Sequence, residues 1–123
     1  MTTGLAIFSA VLHVYIFFLE SILWGGPRAN KGFGVNPAQA EIMKPFAFNQ
    51  GFYNLFLSLA IMVGLVLMHA LGSPQGQILV DYAMASIFGA GVVLVSSNPK
   101  LVKPAMAQAL PPLLYGLSRV LLN

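Results

Sequence analysis

The chain has 123 residues, of which 58% are hydrophobic and only 7% charged. A soluble domain carries about 25% charged residues, so this chain has too few polar groups to cover a globule and reads as a polytopic membrane protein embedded in a lipid bilayer. Six Lys and Arg against Glu20, Glu41 and Asp81 leave a net charge of +3. The basic residues are scattered, without the aromatic interleaving of a nucleic-acid surface, so they read as cytoplasmic loop charges in preference to a nucleic-acid-binding surface. With no cysteine, disulfides and thiolate chemistry are excluded.

Hydropathy predicts four apolar spans, at about 4–24, 46–71, 75–97 and 104–122, within one domain over residues 1–123. The fold expected is all-α, an antiparallel four-helix transmembrane bundle. The opening MTTGLAIF lacks a basic segment, and no small-residue cleavage site follows, so the first helix is expected to stay in the mature chain.

The first span, Gly4 to Trp24, is long enough for a hydrocarbon core about 30 Å thick, yet it carries His13 and Glu20. An ionisable group at the centre of a span costs about 3 kcal/mol or more, so such groups face protein or water. His13 and Glu20 lie almost two turns apart and share a face, which Trp24 continues. Gly25, Gly26 and Pro27 should end this helix. Gly32-Phe33-Gly34 reads as a turn that dips an aromatic ring into the interface. Asn36-Pro37-Ala38-Gln39 has the pattern of a capping box with proline at the first helical position, and predicts a short headgroup-level helix from Pro37 to Lys44.

The second span opens PFAFNQGFYNLF, placing Asn49, Gln50, Tyr53 and Asn54 in its first turns. Further along, Ala60 and Gly64 form a small-xxx-small pair that lets helices approach. His69, near its far end, reads as structural. The third span carries Asp81 and a run of small residues, Ala85, Ser86, Gly89, Ala90 and Gly91, a packing face and the candidate interface of a homo-oligomer. In the fourth, Gln108 precedes a Pro111-Pro112 pair expected to kink or unwind the helix, and Arg119 either pairs with Asp81 or snorkels separately. Arg28, Lys31, Lys44, Lys100 and Lys103 fall on one side and Arg119 on the other, which places both termini outside and the two basic loops on the cytoplasmic side.

A rise of 1.5 Å per residue brings Glu20, Asn49, Gln50, Tyr53, Asn54 and Gln108 to a similar depth near the inner leaflet, with His13 closer to the midplane. A carboxyl in such a pocket suits a proton carrier or a general acid. His13 can relay a proton or read a ligand. Asn49, Gln50 and Asn54 would fix a polar head, with Tyr53 and Trp24 as walls. The plainer reading is that Glu20 and the amides simply lock two helices together, but a carboxylate is a costly glue. Arg28 and Lys31 are placed to clamp a phosphate or carboxylate at the pocket mouth, or else are topology charges against anionic headgroups, the simpler reading of the two. No metal-ligand spacing stands out, and no cofactor is assigned.

Three functions compete on these residues. A binding or transport module for a proton or a small lipophilic or anionic ligand leads. An intramembrane enzyme using Glu20 or His13 as acid or base with help from Tyr53 is the rival. A structural or assembly subunit is the third. The clustering of polar groups on one side weakly favours the first two.

LHVYIFFLESILW, PRANKGFG and NQGFYN together resemble the signature of a bacterial family of small four-span membrane proteins of unknown function, LHxYIFxLE, W, PR, FG, a Lys, then NQGxYN. The resemblance rests on Leu12, His13, Tyr15, Ile16, Phe17, Leu19, Glu20, Trp24, Pro27, Arg28, Phe33, Gly34, Lys44, Asn49, Gln50, Gly51, Tyr53 and Asn54. It covers the first half closely and the second half by hydropathy alone. It implies a four-span fold in a bacterial inner (cytoplasmic) membrane and no activity.

Overall fold

In the computed structural model, which describes residues 1–122, the chain is all-α, 88% helical, with five helices and no strand among the described residues. Helix α1, Thr2–Phe17, buries Ala6, Ser9, Ala10 and His13, the i, i+3, i+4, i+7 stripe of an amphipathic face. It runs on through a π-helical turn, Phe18–Ile22, closed by the five-residue bond from Leu23 N–H to the Phe18 carbonyl at 2.7 Å. The wider turn buries Leu19 and Glu20 together.

Gly25 takes φ +87°, a conformation that other residues resist, and Gly26-Pro27 then starts a second helix, α2, Pro27–Phe33. This is a correction to the sequence reading. Gly32-Phe33-Gly34 is a helix end, stopped by Gly34 at φ +66°, and the Phe33 ring lies 5.4 Å from Trp24. Pro27 inside the start and Gly34 past the end bracket seven residues, too few for hydropathy to register.

Helix α3, Pro37–His69, has the expected capping box: Gln39 N–H donates to Asn36 Oδ1 at 2.8 Å, and Asn36 N–H to Gln39 Oε1 at 2.9 Å. The short helix expected at 37–44 is not separate, however, and α3 runs unbroken for 33 residues through Pro45. Pro45 withholds a donor from the Glu41 carbonyl, but both residues are exposed, where water replaces the lost bond. At 1.5 Å per residue α3 is about 50 Å long, so its first turns extend beyond a hydrocarbon core of about 30 Å.

Helix α4, Gln75–Ser97, is followed by a 3-10 turn, Pro99–Leu101, and by α5, Val102–Leu121. The Pro111-Pro112 pair does not unwind α5. Both prolines are buried, and their fixed φ is itself helical, so neighbouring helices hold the segment despite two missing bonds. Three helices are long and apolar enough to cross a membrane: α1 with its π-turn, α3 and α4. The sequence reading expected four, but Lys103, Gln108, the prolines and Arg119 dilute the apolar character of α5.

Helix α3 packs against α1 and α4, and α5 closes against α4 and α1. Their shared core holds Ala6, Ala10, Ile61, Val80, Met84, Ile87 and Tyr115. Between apolar helices in lipid, close approach supplies the packing energy, and small residues permit it. A Cβ on Gly64 would stand 2.6 Å from Val80 Cγ2 and 2.8 Å from the Gly76 carbonyl, and one on Gly91 2.7 Å from Ala109 Cβ. Polar latches add register: Ser58 Oγ donates to the Ala10 carbonyl and Ser21 Oγ to the Phe48 carbonyl, each at 2.8 Å. Gly64→Leu should therefore lower stability by about 1–3 kcal/mol. Gly4→Leu, at an exposed position of α1 with nothing within 4 Å of its Cβ position, should leave it nearly unchanged. Thermal unfolding in nonionic detergent compares the two, and equal losses would refute the close α3–α4 contact.

Candidate functional site

The π-turn places Glu20 against α3 with 7% of its surface exposed. Asn54, itself 8% exposed, donates from Nδ2 to Glu20 Oε1 at 2.7 Å and to the Gln50 carbonyl of its own helix at 3.2 Å. A buried carboxyl and a buried amide thus meet across two helices, with one carboxyl oxygen engaged.

Glu20 and Asn54 border an open cavity of about 1410 Å³. Its walls are apolar where Leu12, Ile16 and Leu19 of the first helix face Leu57 of α3 and Val93 and Leu94 of α4. Its polar lining includes Glu20, Gln50, Tyr53 and Asn54, with Gln108 from α5. Gln108 Nε2 reaches the Ile87 carbonyl at 3.4 Å, which ties α5 to α4 beside the cavity. Arg28 and Lys31 of α2, Lys100 of the 3-10 turn and Lys103 of the first turn of α5 line the same cavity.

Of the residues that sequence spacing singled out, Glu20, Gln50, Tyr53 and Asn54 come together here, with Arg28 and Lys31 at the mouth. His13, Trp24 and Asn49 are not on the wall. His13 is fully buried in the packing of α1, where Nδ1–H donates to the Ser9 carbonyl at 2.8 Å. Its Nε2 and the neighbouring Ser9 Oγ have no hydrogen-bond partner among the described residues. The Trp24 indole instead donates to the Ala40 carbonyl at 2.7 Å, so it pins the first turn of α3 to the end of the first helix. Asn49 is exposed, one residue round the helix from the wall. Lys100 and Lys103 entered the sequence reading only as topology charges. The signal for them lay in loop length: a connection this short must return beside the ends of its own helices.

The opposite end of the helices is also polar but differently built. Arg119 holds Asp81 by two bonds, Nη2 to Oδ2 at 3.1 Å and Nε to Oδ1 at 3.3 Å, so the two pair instead of snorkelling separately. Tyr115 donates its hydroxyl to Asp81, and Gln77 Nε2 donates to Asp81 Oδ1 and to Tyr115 Oη at 2.8 Å each. Nearby, Thr3 and His69 meet at 3.4 Å, joining the start of α1 to the end of α3. This carboxylate has its donors supplied, and the network reads as a clamp. No three His, Asp or Glu side chains gather into a metal site among the described residues.

Apolar helices of membrane-crossing length around a cavity with a buried carboxyl define a class of small helical membrane-type protein. The chain belongs to the family described as protein of unknown function DUF1304, whose model matches residues 7–118 and so takes in every cavity residue named above. No curated protein and no solved structure matches the chain.

Replacing Asn54 by Ala removes the donor to a carboxyl that is 7% exposed, which should lower stability by about 1–3 kcal/mol. Asn49→Ala, at an exposed position on the same helix, should change it by less than about 0.5 kcal/mol. Equal effects in thermal unfolding would remove the Glu20–Asn54 bond from consideration as a structural element.

Proposed function

We propose that this is a small integral membrane protein that holds a small ligand, or exchanges a proton, in an intramembrane cavity open to the cytoplasm, with Glu20 as the engaging group. The observation that carries this reading is the placement of Glu20: nearly buried, held by one amide, and still bordering a 1410 Å³ cavity. A carboxyl retained only to fasten helices has no need of such a space beside it. His13 stands off the wall, which weighs against an enzyme that would use Glu20 and His13 as an acid–base pair.

In this reading α5 crosses the membrane together with α1, α3 and α4, giving an antiparallel four-helix transmembrane bundle in a single domain. The burial of Pro111, Pro112 and Tyr115 and the polar link from Arg119 to Asp81 support that arrangement. The membrane is the bacterial cytoplasmic one. Both termini lie outside, because the connections bearing Arg28, Lys31, Lys44, Lys100 and Lys103 prefer the cytoplasm. A homo-oligomer forms through the α4 face on which Ala85 and Gly89 are exposed.

Two measurements test these statements. The chain has no cysteine, so single substitutions report sidedness cleanly. In cells, Ser73→Cys should react with an impermeant thiol reagent and Asn98→Cys should be protected; the reverse pattern would invert the orientation. In proteoliposomes, Glu20→Gln should abolish proton flux or remove the pH dependence of ligand binding. An unchanged pH profile would end the case for Glu20.

A further inference from the structure

Four of the six Lys and Arg residues of the chain line one cavity. They reach it from two regions far apart in sequence: Arg28 and Lys31 from α2, Lys100 from the 3-10 turn after α4 and Lys103 from the first turn of α5. None of the four belongs to an ion pair among the described residues, where the single salt bridge is Asp81–Arg119. The one acidic residue on the wall, Glu20, already has Oε1 engaged by Asn54. Like charges gathered without counter-charges repel one another, and an anion placed among them removes that cost. Sidedness alone does not call for this convergence. It needs positive charge anywhere on the cytoplasmic connections, and Lys44 supplies that from an exposed position off the cavity wall.

Below this rim the walls are apolar, from Leu12, Ile16 and Leu57 to Val93 and Leu94. Sites for drug-sized molecules occupy about 300–1,000 Å³. The 1410 Å³ here leaves room for a polar head together with part of a hydrocarbon chain. A carboxylate head would balance only one of four cations, whereas a phosphate monoester carries about −1.5 to −2 at neutral pH and offers several acceptor oxygens. The geometry points to an amphiphile with a phosphate monoester head: the phosphate lies between Arg28 and Lys31 on one side and Lys100 and Lys103 on the other, and the chain runs along the apolar walls. This inference rests on the proposal that the cavity is a ligand site, and adds the class of ligand.

The full-length protein in nonionic detergent carries a single tryptophan, Trp24, whose ring neighbours Phe33 on the cavity wall, so its fluorescence reports binding. Lysophosphatidic acid should bind saturably, and lysophosphatidylcholine and inorganic phosphate far more weakly. The double variant Lys31→Gln/Lys103→Gln should weaken lysophosphatidic acid roughly thirtyfold, at roughly fivefold for each charge removed. Lys44→Gln should change it by less than about twofold. Equal binding of lysophosphatidylcholine, or an equal loss in Lys44→Gln, would overturn the phosphate assignment while leaving an amphiphile site in place. Equally tight binding of inorganic phosphate would overturn the amphiphile and leave an anion site. If no probe binds, the phosphate-amphiphile assignment is overturned, while the Glu20→Gln pH profile tests the cavity reading on its own.

Discussion

A carboxyl group inside an apolar span must find a hydrogen-bond donor or open onto water, and Glu20 does both. The donor comes from Asn54 on α3, the space from the cavity beside it. Much of the surrounding architecture follows from this pairing. To put Glu20 against α3 the first helix widens into a π-turn, and to let the two helices meet there Gly51 gives up its side chain, since a Cβ at that position would overlap Ser21 Oγ. Ser21 in turn donates to the Phe48 carbonyl, and three residues further on the Trp24 indole donates to the Ala40 carbonyl. The end of the first helix is therefore fixed at several successive points along α3, which sets the depth of Glu20 as firmly as backbone packing could.

The two polar ends of the molecule show what distinguishes a clamp from a candidate site. At one end Asp81 receives Arg119, Tyr115 and Gln77, so charge and hydrogen-bond capacity are met within the protein. At the other, Glu20 has one partner, and four cations share a cavity with no carboxylate paired to them. Both ends draw on helices far apart in sequence, and both contain one acidic residue of the three in the chain. What separates them is completeness. A satisfied network rigidifies, while an unsatisfied one beside an open volume keeps its interaction energy available to something else.

How much of this was legible in the sequence depended on range. Local signals were readable at the level of single residues: the Asn36–Gln39 capping box and the helix stop at Gly25-Gly26-Pro27 follow from backbone chemistry within a few positions. Helical spacing also sufficed to bring Glu20 and Asn54 to one depth, because rise per residue is nearly constant. Spacing failed where rotation mattered more than depth. Asn49 and Gln50 share a level but differ by about 100° around the axis, and only Gln50 borders the cavity. His13 and Glu20 lie on a common face in an ideal α-helix, yet the intervening π-turn leaves one sealed in the core and the other at the cavity. Nothing in residue type announces a π-turn, since its cause is the fit between two helices.

The role of the connections was hidden for a related reason. Hydropathy treats Arg28, Lys31, Lys100 and Lys103 as interchangeable loop charges, since it sees neither direction nor neighbours. Direction comes from short ordered pieces: α2, bounded by left-handed glycines at Gly25 and Gly34, the 3-10 turn at Pro99–Leu101, where Lys100 N–H donates to the Asn98 side chain at 3.2 Å, and the first turn of α5, which carries Lys103. Each piece is only one or two turns long, but each holds its basic residues at a fixed bearing over the cavity. Had these connections been flexible, their charges would have spread into solvent to relieve their repulsion. That the chain orders them toward a common volume makes the connections part of the site.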